Sequence, residues 1–151
     1  MENINGTPID ILLVEDNEPD IKITQRAFQK AKVKNNLFIA RNGQEALDFV
    51  RHEGAYQDKN QFPTPDLILL DIQMPKLNGF QVLEVLKGDE HYKYIPIIML
   101  TSSKNEKDIL QSYGYGAASY IQKPVVFEEF IQVVDGFNFY WHIINKLPHK
   151  K

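Results

Sequence analysis

The chain has 151 residues, 43% of them hydrophobic, a formal net charge of -3 and no cysteine. Length and composition predict one globular domain over residues 1–151, with a core at about 9–147 and short tails. Disulfides, thiol catalysis and cysteine-based zinc sites are excluded, and the charge offers no basic footprint for nucleic acid.

No apolar run approaches the ~20 residues that a membrane helix needs. Met1–Asp10 has no basic start followed by an apolar stretch, so a cytoplasmic location is expected. His52, His91, His142 and His149 lie scattered, without the close spacing of zinc ligands.

The elements follow in order. Ile9 to Val14 is an aliphatic run that predicts a buried strand, stopping at Glu15-Asp16-Asn17. Pro19 suits a first helical turn, and Ile21, Thr24, Ala27, Phe28 and Ala31 recur at helical spacing. Leu37 to Ala40 predicts a second strand, Asn42-Gly43 a turn, and Ala46, Leu47 and Val50 a second helix. Gly54 to Pro65 is polar and reads as a loop. Asp66 to Asp71 predicts the clearest buried strand, and Phe80, Val82, Leu83, Val85 and Leu86 a helix after Gly79. Ile95 to Leu100 predicts a fourth strand ending at Thr101, and Ile109, Leu110 and Tyr113 a short helix. Ala118 to Ile121 predicts a fifth strand ending at Lys123-Pro124, and a last helix is expected from Val125 through Ile144.

Five alternations of strand and helix predict an α/β fold: a doubly wound parallel sheet with helices on both faces. In such a sheet the carboxyl ends of the strands lie along one edge, where ligands bind. Glu15 and Asp16 end the first strand, Asp71 the third, Thr101 the fourth and Lys123 the fifth. Three carboxylates in one pocket repel each other unless something compensates. A hard divalent cation with oxygen ligands does so, which predicts Mg²⁺ held by Glu15, Asp16 and Asp71. The plainer reading of Glu15 and Asp16, as caps of the following helix, leaves Asp71 unexplained. Asp71 is the candidate phosphoryl acceptor, since a metal offsets the repulsion between a carboxylate and a phosphoryl donor. Lys123 pairs with Asp71 before transfer and with the phosphoryl group after it. Pro124 fixes the turn that aims Lys123, through a cis Lys123–Pro124 bond. Thr101 is set to hydrogen-bond a phosphoryl oxygen, and Tyr120 to move with it.

These residues, with the runs Val14-Glu15-Asp16-Asn17, Leu69 to Pro75, Asn78-Gly79, Leu100-Thr101-Ser102 and Tyr120 to Pro124, resemble a response-regulator receiver domain of two-component signalling. The resemblance covers roughly Ile9 to Leu147. It implies a flavodoxin-like strand order 2-1-3-4-5, with Asp71 as phosphoacceptor. It also implies Glu15 and Asp16 as the acidic metal pair, with Asp16 favoured as the direct ligand, and a metal contact from the Gln73 backbone carbonyl. Thr101 and Tyr120 fall on the family's switch positions. The implied donor is a phosphohistidine on a sensor histidine kinase. The long 52–65 segment and the aromatic tail from Phe137 to Pro148 are similar to receivers partnered with bacterial phytochromes. That tail also suggests a homodimer through the C-terminal helix region, because aromatic residues are enriched at interfaces. A histidine phosphotransfer protein is a second candidate partner, downstream in a phosphorelay.

The competing readings are weaker. A phosphohydrolase with an aspartyl nucleophile needs an acid two residues on, where Gln73 stands. A flavin or dinucleotide binder needs a Gly-rich turn after the first strand, where Glu15-Asp16-Asn17 stands. A degenerate receiver acting only as a docking module would not need the acid, hydroxyl and lysine set. The expected protein is a phosphorylation switch and not a turnover enzyme.

Overall fold

The structure, a computed structural model, describes residues 8–31, 34–102, 111 and 114–135. Five parallel strands form one sheet: β1 (Ile9–Val14), β2 (Asn35–Ala40), β3 (Leu67–Asp71), β4 (Ile97–Thr101) and β5 (Ser119–Gln122). Their order is β2-β1-β3-β4-β5. The described α-helices are α1 (Glu18–Gln29), α2 (Gly43–Arg51), α3 (Gly79–Lys87) and α4 (Phe127–Asp135).

The continuous apolar runs of β1, β3 and β4 are explained by burial on both faces of the sheet. Side chains alternate between faces along a strand. Leu12, Val14, Ile68, Leu70, Ile97 and Met99 pack with the buried faces of α2 and α3. Ile11, Leu13, Leu67, Leu69, Ile98 and Leu100 pack on the other side with Ile21 and Phe28 of α1 and Phe130 of α4. Phe28 meets Phe127 and Phe130 at ring distances of 5.2 and 5.1 Å, both edge-on, which ties α1 to α4.

Several boundaries differ from the sequence expectation for local reasons. β2 begins at Asn35, earlier than Leu37, because pairing with β1 extends to the Ile9–Asn35 register. β4 begins at Ile97, after Pro96, and includes Thr101. β5 is shifted by one residue, to Ser119–Gln122. Asn42-Gly43 opens α2 and makes no separate turn: the Asn42 side chain accepts from Glu45 N–H at 2.8 Å as an N-cap. A Cβ on Gly43 would lie 2.7 Å from the Leu77 carbonyl oxygen, so only glycine lets α2 approach the segment after β3. α4 begins at Phe127, two residues after Val125. The expected continuation of this helix to Ile144, the aromatic tail with Phe137, Tyr140 and Trp141, and the short helix through Ile109, Leu110 and Tyr113 lie outside the described residues.

The expected polar loop at 54–65 carries part of the core. Gly54–Tyr56 forms a 3-10 turn, and Tyr56 and Phe62 pack on Phe49 at 5.1 and 5.7 Å. The two rings also meet edge-on at 5.0 Å. His52 takes a left-handed conformation that ends α2, with Nε2 at 3.0 Å from Thr64 Oγ1.

Candidate functional site

The parallel register brings the carboxyl ends of β1, β3, β4 and β5 to one edge, the place where an open parallel sheet binds its ligands. Glu15 directly follows β1 and is fixed by its N–H donating to Ala40 O at 3.0 Å. Asp71 is the last residue of β3 and Thr101 the last of β4, each buried. Lys123 follows β5, its N–H donating to Thr101 O at 2.8 Å, and the Lys123–Pro124 bond is cis.

The helix that follows β1 has its own cap. Asn17 Oδ1 accepts from Asp20 N–H at 3.0 Å, and Pro19 occupies the first turn. The cap of α1 is therefore Asn17 and neither acid, although Glu15 Oε2 also accepts from Asn17 N–H at 3.2 Å. On the far side, α3 opens with a reciprocal capping box between Asn78 and Gln81. A Cβ on Gly79 would fall 2.3 Å from the Asp71 carbonyl oxygen. Glycine there allows the start of α3 to lie against the end of β3, with Gly79 N–H donating to Ile72 O at 2.9 Å.

Glu15, Asp16 and Asp71 each offer a carboxylate oxygen within 4.8 Å of the others. Glu15 is 1% and Asp71 3% exposed, whereas Asp16 opens to solvent. Lys123 Nζ lies 3.0 Å from Asp20 Oδ2, 3.1 Å from Glu15 Oε1 and 3.3 Å from Asp71 Oδ1, with its side chain 14% exposed. Gln73 N–H donates to Asp71 Oδ1 over 3.4 Å. Tyr120 is half-buried and packs on the α2 and α3 side of the sheet.

The charge balance decides the protonation. Burial pushes the Glu15 carboxyl up to about 7, reinforced by the hydrogen bond and charge of Asp71 and opposed by Lys123. Burial also raises Asp71, against the Glu15 hydrogen bond, the charge and hydrogen bond of Lys123 and the Gln73 N–H. Burial opposes the Lys123 ammonium, but the hydrogen bond to Asp20 and the charges of Asp71 and Glu15 together raise its pKa. One ammonium does not neutralise this many acids. A cluster of hard oxygen donors with excess negative charge fits a divalent cation such as Mg²⁺.

The structure thus brings together Glu15, Asp16, Asp71 and Lys123. Thr101 ends the strand beside Asp71, in the parallel ladder where Asp71 pairs with Leu100. Tyr120 lies one layer behind the strand ends, opposite Met99. Sequence reading misses Asp20. It reads as an ordinary acid in a helical first turn, and nothing in the spacing signals a contact with a lysine 103 positions away.

Residues 11–135 match the response regulator receiver domain, and the chain belongs to that family. It is 33% identical to response regulator Rcp1 of Synechocystis sp. over 148 residues, 98% of this chain and 99% of the relative. The structure of the bacteriophytochrome response regulator AtBRR is similar with a TM-score of 0.79 at 38% identity, covering 89% of this chain and 95% of that one. The phosphorylated cyanobacterial phytochrome response regulator RcpA gives 0.74 at 38% identity, covering 93% and 99%. The Mn(2+)-bound form of Rcp1 gives 0.72 at 34% identity, covering 93% and 99%. Among the described residues, no helix is long and apolar enough to cross a membrane.

Proposed function

We propose that the protein is a phosphorylation switch that accepts a phosphoryl group on Asp71 from a phosphohistidine of a sensor histidine kinase. The observation that carries this reading is the setting of the Asp71 carboxylate. It is buried, within 3.3 Å of the Lys123 ammonium and within 4.8 Å of oxygens of Glu15 and Asp16. An Asp71 oxygen attacks phosphorus, the O–P bond forms, and the P–N bond to the donor imidazole breaks. The electron pair leaves with the imidazole, which takes up a proton. Glu15, Asp16, Asp71 and the Gln73 carbonyl are the residues that would hold Mg²⁺. When bound, the ion supplies positive charge that offsets repulsion between the carboxylate and the phosphoryl oxygens. Lys123 supplies a fixed positive charge beside the acceptor. Thr101 hydrogen-bonds a phosphoryl oxygen, and Tyr120 follows it, shifting a two-state surface that a protein partner reads.

Gln73 cannot relay a proton, so the reading is a stored phosphoryl group and not rapid turnover. Similarity to AtBRR and RcpA favours a phytochrome kinase as donor, in the cytoplasm. A histidine phosphotransfer protein is the alternative recipient. The C-terminal segment, outside the described residues, is the proposed dimer contact, tested by native mass with and without a phosphoryl mimic.

Incubation with acetyl phosphate and Mg²⁺ tests the central claim. A base-labile aspartyl phosphate adduct is expected on Asp71. Equal labelling of Asp71→Asn would sink it.

A further inference from the structure

The three partners of Lys123 are not equivalent. Glu15 and Asp71 belong to the cluster of acids that fits a metal ion, and Asp20 does not. Yet Asp20 makes the shortest of the three contacts, 3.0 Å against 3.1 and 3.3 Å. Its backbone is pinned on both sides. Asp20 N–H donates to Asn17 Oδ1 at 3.0 Å, and its carbonyl accepts from the buried Thr24 hydroxyl at 3.0 Å. The side chain therefore projects from a fixed point on α1. It is 31% exposed, on the solvent side of an ammonium whose other two partners are almost completely buried.

An ammonium has three N–H donors and here faces three carboxylates. An anionic group arriving on Asp71 takes over the donor that the Asp71 carboxylate releases, and any further donor comes from Glu15 or Asp20. Between the two partners that stay carboxylates, Glu15 and Asp20, the contact to Asp20 is the one that can be surrendered without stranding a buried charge, because Asp20 reaches water.

We propose that Asp20 is a positioning residue that holds the Lys123 ammonium in reserve and competes for it with the anionic group carried by Asp71. The strength of the Asp20 contact then sets how firmly the phosphorylated form is held. This rests on Asp71 being the acceptor.

Beryllofluoride at saturating magnesium is the probe, titrated into the full chain and followed by ¹⁹F NMR. Asp20→Asn keeps the shape and the helical position but loses the charge. It should bind beryllofluoride roughly tenfold more tightly, the scale of one charge-assisted hydrogen bond released. Asp20→Glu restores a carboxylate and should return affinity to near the wild-type value. In the probe-free protein, the Lys123 ammonium ¹⁵N resonance should move in Asp20→Asn and return in Asp20→Glu, which a role confined to the α1 turn would not produce. Equal or weaker binding by Asp20→Asn, or an Asp20→Glu that behaves like Asp20→Asn, overturns the proposal while leaving Asp71 as acceptor intact. A wild-type chain that takes no beryllofluoride, or an Asp71→Asn that takes it equally, overturns both.

Discussion

Raising the pH through neutrality in the presence of a chelator should destabilise this protein, and Glu15 is the reason. Its carboxyl has an ordinary value of 4.5 and is pushed up to about 7 in the fold, burial being the largest cause. The folded chain therefore binds more protons than the unfolded chain across that window, so stability is full below 4.5 and is lost as pH rises through 7. A displacement of that size corresponds to about 3 kcal/mol. For a domain of this length that is a fall in melting temperature of roughly 6–12 °C between pH 5 and pH 8. The assay is thermal unfolding by circular dichroism in EDTA, on wild type and Glu15→Gln. The variant cannot ionise at this position, so the wild-type-minus-variant difference removes the histidines and the distant acids and leaves Glu15 with its hydrogen-bonded neighbour Asp71. Adding Mg²⁺ at pH 8 should restore stability to the wild type, since a ligand that binds only the folded state stabilises it by mass action. A Glu15→Gln protein with the same pH slope as wild type would refute the reasoning.

Further outcomes follow from the same geometry. Lys123→Met leaves Glu15, Asp20 and Asp71 facing one another without their ammonium, and should cost about 3 kcal/mol at pH 8 in EDTA, measured by urea titration. The loss should shrink at pH 5, where Glu15 is protonated; a loss that grows on acidification would be inconsistent with this charge balance. Gly79→Ala sets a methyl against the Asp71 carbonyl oxygen and should cost about 2 kcal/mol while slowing acetyl phosphate labelling. Wild-type labelling would contradict the packing. Phe28→Ala removes the ring shared by α1 and α4 and should destabilise by about 3–5 kcal/mol in chemical denaturation, without altering the site's carboxylates. Thr101→Ala should still label Asp71, but the Tyr120 resonances should no longer respond to beryllofluoride. A full Tyr120 response would remove Thr101 from the switch.

Much of the fold is legible because each strand announces itself locally. The aliphatic runs at Ile9–Val14 and Leu67–Asp71 are buried on both faces, and such strands carry an unbroken apolar signal. β2 reads short because Asn35 and Asn36 are polar; they pair because the Ile9 and Asp10 register reaches them. Asn42-Gly43 has the composition of a turn and acts as a cap with a close approach, and only the position of Leu77 separates the two. Tyr56 and Phe62 sit in a stretch whose average is polar, so their aromatic packing on Phe49 is invisible until the chain folds back.

The site divides along the same line. Which chemical groups end the strands is written in the primary structure: Glu15 and Asp16, Asp71, Thr101, and Lys123 before a proline. Strand ends are set by where the apolar run stops, and a parallel sheet collects them on one edge. How Lys123 is shared among the acids is a property of the assembled fold alone. Ion pairs depend on distances of a few tenths of an ångström between side chains from separate elements, and no local pattern encodes those. Asp71, an acid at a strand end, is therefore readable in the sequence, while Asp20, the nearest partner of the same lysine, shows itself only once α1 is placed against the end of β5.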